Sequence, residues 1–149
     1  RCEEKMSEKR IKQILSALDD EDEEAMKALF STQALEESKD IDGEIDYLFQ
    51  FIQGEVKSWT KDTWGSGESN KYGKKTVKLI SWYTVETDKD KYIFYICDYI
   101  IDTINPDNEG LYMLHVIKAE QKDTLLIRYG QSMEIAGIYV PEEEGSILE

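Results

Sequence analysis

His115 is the only histidine in the chain. An unperturbed imidazole titrates near neutral pH, so it is the first residue to test for proton-transfer chemistry. It lies in an alternating apolar stretch, Leu111 to Ala119, that reads as a strand. The stretch before it, Tyr92 to Ile104, carries Asp98 and Asp102. If Ile104 faces Leu111 across the intervening loop, His115 faces Ile100 and both aspartates lie diagonal to it on one sheet face. A carboxylate beside an imidazole in a curled-sheet pocket is the layout of a general acid–base site. Asp98, Asp102 and His115 are therefore the catalytic candidates. The bland alternative is a hydrogen-bonded histidine in a half-exposed strand. Register decides between them, because a slip of one residue sends His115 to the opposite face.

Other chemistries are weaker. The loop Asn105-Pro106-Asp107-Asn108-Glu109-Gly110 copies the opening of a calcium loop. It lacks the bidentate glutamate at position 12, where Val116 stands, so it reads as a hairpin turn and no metal is expected. Cys97 sits in an apolar run and reads as a small buried hydrophobe. Cys2 sits in a polar leader, and a bridge between the two is not expected. One His and two distant Cys give no zinc spacing. The sequence has no Gly-x-Ser-x-Gly elbow and no phosphate loop, so no cofactor is expected. Lys71, Lys74, Lys75 and Lys78 gather beside Tyr72, where the ordinary reading is a solvated hairpin edge kept from pairing with other strands. The rings of Trp59, Trp64, Trp82 and the tyrosines read as core and sheet packing, with some free to line a ligand pocket.

These residues must be held by a few long elements. Ile11, Ile14, Leu15 and Leu18 mark one face of a helix from Ser7, a candidate N-cap, to Leu18. The acidic run Asp19 to Glu24 reads as the start of a second helix, favoured by the helix dipole, with Ala25, Met26, Leu29 and Phe30 facing inward. Ile41, Ile45, Leu48 and Ile52 mark a third, with room for a short helical turn between Ser31 and Ser38. The period then changes to two. Val56 to Trp59 opens a strand, Lys61 to Gly73 reads as a long loop, and Thr76–Thr87 and Tyr92–Ile104 are long strands. Leu111–Ala119, Thr124–Tyr129 and Met133–Val140 follow. Helices first and then a meander of strands is an α+β order. Connections this short imply an antiparallel sheet, and strands this long must twist and curl. The expected fold is therefore N-terminal helices packed on a curled antiparallel sheet, a cystatin-like or nuclear-transport-factor-2-like cone. Residues 1–6 read as a leader, 7–141 as one domain and 142–149 as an acidic tail. A pocket is expected between the third helix (Ile45, Leu48, Phe49) and the sheet (Trp82, Phe94 or Tyr95, and the neighbourhood of Asp98 and His115).

Composition narrows the partners. The chain of 149 residues has a formal charge of −14. Its first sixty residues carry 8 basic and 16 acidic side chains and the remainder 10 and 16, so neither part is basic. Nucleic-acid binding draws its affinity from lysine and arginine on phosphates, and is not expected here. No apolar run approaches the length of a membrane span.

Several segments carry a family resemblance: Ala25-Met26-Lys27-Ala28-Leu29-Phe30-Ser31, Leu48 to Glu55, Asn105 to Tyr112, Val116 to Glu120 and Met133 to Pro141. Together they resemble a domain-of-unknown-function family of small lipoproteins from Gram-positive, gut-type bacteria, over nearly all of residues 7–141. The resemblance implies an extracytoplasmic, membrane-anchored protein with the nuclear-transport-factor-2-like fold, and no known activity or catalytic residues. It makes Cys2 a candidate for lipidation, although Arg1 stands where a small residue normally precedes the acylated cysteine. The expectation is a non-catalytic binding module for a small molecule or protein, touching a membrane only through its anchor. The alternatives are an isomerase- or dehydratase-type enzyme using the Asp/His pair, and an interaction protein that forms a homodimer through its open sheet face.

Overall fold

The computed structural model describes residues 2–122 and 134–141. Four helices come first: α1 (Glu3–Asp19), α2 (Glu23–Leu29), α3 (Thr32–Glu37) and α4 (Ile41–Phe51). Strands β1 (Val56–Lys71), β2 (Lys74–Thr87), β3 (Lys91–Asp102), β4 (Gly110–Lys118) and β5 (Gly137–Ile138) follow and pair in sequence order. The result is an α+β fold in which the helices cover one face of a curled, mostly antiparallel sheet. The expected strand Thr124–Tyr129 and the tail 142–149 lie outside the described residues.

Helices α2, α3 and α4 each start where a side-chain oxygen meets orphan backbone N–H groups. Asp22 accepts from the Ala25 N–H at 3.0 Å, Ser31 from Ala34 at 3.0 Å and Asp40 from Gly43 at 3.2 Å. The acidic run therefore does open α2, but through Asp22. Helix α1 departs from expectation, because it begins at Glu3 and leaves Ser7 inside the helix. Ser7 is fully buried there and shares a hydrogen bond of 2.6 Å with the Tyr83 hydroxyl. A tertiary partner has taken the hydroxyl that sequence alone assigned to a cap. Glu3 to Met6, in the segment read as a leader, are helical.

The core lies between the helices and one sheet face. Ile11, Ile14 and Leu15 of α1, Met26, and Ile45 and Leu48 of α4 pack on Tyr83, Val85, Tyr92, Phe94, Ile96, Leu111, Leu114 and Val116. Alternation sends Trp82, Tyr95, Cys97, Met113 and His115 to the other face. There Cys97 and Met113 are buried among Ile80, Tyr95, Tyr99, Tyr112 and Ile135.

Two features differ from the sequence reading. The stretch Lys61 to Lys71 is strand, pairing without a break from Thr63↔Trp82 to Lys71↔Lys74. Its Gly and Ser residues have poor strand propensity, but β2 supplies a complete hydrogen-bonding template and the strand lies at the exposed sheet edge, where propensity is overridden. The second is β5. It pairs parallel with β4, Met113 against Gly137 and Leu114 against Ile138, where only antiparallel pairing was expected. The connection from β4 to β5 is long enough for a crossover, unlike the hairpin turns before it.

Phe94 is fully buried at the centre of the helix–sheet core. Phe94→Ala should lower unfolding stability by about 3–5 kcal/mol in urea titration. A loss below about 1 kcal/mol would place Phe94 outside the well-packed core.

Candidate functional site

Asp98 faces the helices. It accepts a hydrogen bond from Arg10 Nε at 2.8 Å, and its side chain is almost wholly buried. Arg10 lies on the same stripe of α1 as Ser7, Ile11 and Ile14, which is why it reaches the sheet. Burial raises the carboxyl above its usual range, and the Arg10 guanidinium partly offsets that. Asp102 has a different task. It accepts from the N–H groups of Ile104 at 3.0 Å and Asn105 at 2.8 Å, and from Asn108 Nδ2 at 3.1 Å, so it fastens the loop after β3. That loop is a 3-10 turn, Pro106–Asn108.

His115 is on the opposite face. Its register partner is Tyr95, and its ring lies 4.5 Å from that of Tyr139. The expected pairing of His115 with Ile100 is off by five positions, because the loop after β3 begins earlier than Ile104 and Tyr112 is an extra residue, a bulge, in β4. The structure therefore does not bring His115 to Asp98. Burial depresses the imidazole pKa to about 4.

The pocket-lining candidates divide in the same way. Phe94 is buried in the core and Phe49 packs against it, whereas Trp82 and Tyr95 meet on the second face with ring centroids 4.3 Å apart and the rings tilted at 44°. Ile45, Leu48 and Phe94 close the α4–sheet interface where the pocket was expected. Beside Arg10 and Asp98 there is a depression of about 220 Å³, rimmed by Met6 and Gln13. Cys2 is exposed at the N-cap position of α1, Cys97 is buried, and both are free thiols. Among the described residues no group of three acidic, cysteine or histidine side chains is placed to hold a metal ion.

A larger cleft opens at the start of α4. It has a volume of about 640 Å³, within the usual range for ligand sites of roughly 300–1,000 Å³. One wall is polar: Glu37, Lys39, Asp40 and Glu44 from the α3–α4 corner. The other is the segment from Ile135 to Pro141, apolar but for the Tyr139 hydroxyl and the backbone. The two walls are riveted by Glu44. Its Oε1 accepts from the Ile138 N–H at 2.9 Å and from Ser38 Oγ at 3.0 Å, while Oε2 accepts from the Asp40 N–H at 3.2 Å. Gly137 makes this approach possible. Its φ is +91°, and a Cβ there would come within 2.5 Å of Glu44 Oε1. Glu37 is also engaged, accepting from the Tyr112 hydroxyl at 2.5 Å. Burial first, and then that carboxylate, push the Tyr112 hydroxyl well above its usual range. Sequence reasoning missed this cleft. The available signals were Gly137 within an apolar run and the cap at Asp40, but neither says that the two segments meet.

A model of the family named domain of unknown function DUF5104 matches residues 13–119, from α1 through β4. The chain belongs to the DUF5104 family. No curated protein matches it. The match ends before Ile135, so one cleft wall comes from the matched part of this DUF5104 domain and the other from residues beyond it.

The buried imidazole makes stability depend on pH. The folded pKa lies below the unfolded value near 6.5, so the contribution is full above pH 6.5 and is lost as pH falls toward 4. A shift of this size is equivalent to about 3 kcal/mol. His115→Gln should flatten the stability-versus-pH curve over that window by this order, read as the difference between variant and parent in urea unfolding. Identical slopes would mean that the imidazole is not desolvated.

Proposed function

We propose that this DUF5104 domain is a non-catalytic, extracytoplasmic binding module held at the cell membrane by a lipid anchor, and that its ligand sits in the cleft between the α3–α4 corner and Ile135–Pro141. The observation carrying this reading is the cleft itself: ligand-sized, with one apolar wall and one polar wall. Asp98 and His115 sit on opposite sheet faces, so they lend no support to an acid–base enzyme.

The wall chemistry narrows the ligand class. Glu37 and Glu44 already accept hydrogen bonds from Tyr112, Ser38 and Ile138, so they act as frame. Lys39 and the apolar side chains of Ile135, Val140 and Pro141 remain to meet a ligand. An amphipathic molecule with an apolar body and an acceptor group suits that surface. The extracytoplasmic location and the anchor rest on the family resemblance, with Cys2 as the candidate acylation site.

A thermal-shift screen with short peptides, saccharides and lysolipids tests the reading. A ligand at a hundred times its Kd adds about 2.7 kcal/mol, which raises Tm by roughly 5–10 °C for a domain of this size. The hit should perturb amide signals of residues 37–44 and 135–141. Val140→Trp, which fills the cleft from a half-exposed position, should abolish binding while leaving Tm of the free protein nearly unchanged. A ligand whose perturbations fall elsewhere sinks the assignment.

A further inference from the structure

The tip of the β1–β2 hairpin contains three features that weaken a fold, with no internal contact to offset them among the described residues. Tyr72 and Gly73 form a two-residue turn with φ of +54° and +78°. Asn, Asp and Gly are the residues that favour such a turn, and a bulky side chain there is strained. Lys71 and Lys74 are direct cross-strand partners, and like charges facing each other are destabilising. The Tyr72 side chain is also fully exposed, at 101%.

The surroundings of the tip point outward as well. Pairing of β2 with β3 ends at Thr76↔Asp102, while β1 and β2 continue through Asn70↔Lys75 and Lys71↔Lys74, so the tip projects from the body. The Thr103 N–H donates to the Lys75 carbonyl at 2.9 Å, which brings the next residue, Ile104, to the same end of the sheet. Ile104 is 60% exposed; it and Tyr72 are the two most exposed large hydrophobic side chains among the described residues. Lys75 lies 3.7 Å from Glu68, and Lys78 lies 3.0 Å from Glu134. Lys71 and Lys74 have no such carboxylate among the described residues. Asp107 and Glu109 stand in the neighbouring loop, where Glu109 is held by the Asp102 N–H. The amino terminus is directed to this end too: Glu3 meets Ser66, Glu8 meets Lys61 and Lys12 lies over Trp59, so α1 runs opposite to β1 and starts nearest the tip.

We infer that this tip docks the domain on an anionic lipid surface, with Lys71 and Lys74 on headgroup phosphates and Tyr72 and Ile104 entering the headgroup–acyl boundary. The shape favours a flat partner, because a convex projection cannot enclose a small ligand. The pairing of exposed apolar side chains with lysines favours lipid over a hydrophilic polyanion, since rings and branched chains gain from the interface while lysines gain from its charge.

The test is flotation of the full chain with vesicles of pure phosphatidylcholine and with vesicles enriched in phosphatidylglycerol. Partition should favour phosphatidylglycerol and weaken as salt is raised. Lys71→Ala together with Lys74→Ala should lower partition by roughly thirtyfold, at about fivefold for each lysine near the surface. Tyr72→Asn fits the turn better, so it should raise Tm while lowering partition several-fold. Ile104→Ser should also lower partition without loss of folding. Equal partition into both vesicle types overturns the inference, as does unchanged binding by the lysine variant. Heparin binding as tight as vesicle binding and indifferent to Tyr72→Asn and Ile104→Ser would identify a soluble-polyanion site and overturn it as well.

Discussion

Successive side chains of a strand point to opposite faces of its sheet, and in this protein the helices cover only one of those faces. Everything else is arranged around that constraint. Tyr83, Phe94, Ile96 and Asp98 are committed to the helix side, and Trp82, Tyr95, Cys97 and His115 to the other. Two polar groups survive burial on the helix side because α1 carries their partners on the same stripe: Ser7 for Tyr83 and Arg10 for Asp98. Buried polar groups need such partners, so they fix the rotation of α1 about its axis more sharply than apolar contacts alone would.

Several carboxylates serve as ties in this acidic chain. Asp22 and Asp40 cap helices, Asp88 accepts from the Glu55 N–H, Asp102 closes a loop and Glu44 joins two segments 94 residues apart. Each replaces a backbone partner that irregular chain would otherwise lack. The composition had suggested charge as a statement about partners. Part of it is a statement about corners.

The sequence was legible wherever one period ruled a long segment. Ile11, Ile14, Leu15 and Leu18 announced α1, and alternation announced β2, β3 and β4. It was less legible where a partner decided the outcome. Lys61 to Lys71 carries loop-forming residues and is strand because β2 is beside it. Ser7 has a cap's chemistry and a core's position. The Asp98–His115 idea failed on register: the early end of β3 and one extra residue, Tyr112, moved His115 to a different partner, and no local pattern encodes either. The cleft was invisible because its walls are remote in sequence and meet through one side chain, Glu44, which accepts from the Ile138 N–H. The helix-on-sheet class, by contrast, follows from element order and does not depend on register.

The parallel strand β5 has a consequence for the order of assembly. Its hydrogen bonds reach back across the chain, from Ile138 to Glu44 and from Tyr139 to Leu114. During synthesis the helices and the antiparallel meander are complete before Gly137 exists. The body can consolidate first, and the strap closes onto a finished surface like a buckle. A chain interrupted before Gly137 keeps the helices and the antiparallel meander but lacks one side of the cleft and the Ile138 side chain of the core, so in this molecule the site is the last part of the fold to mature.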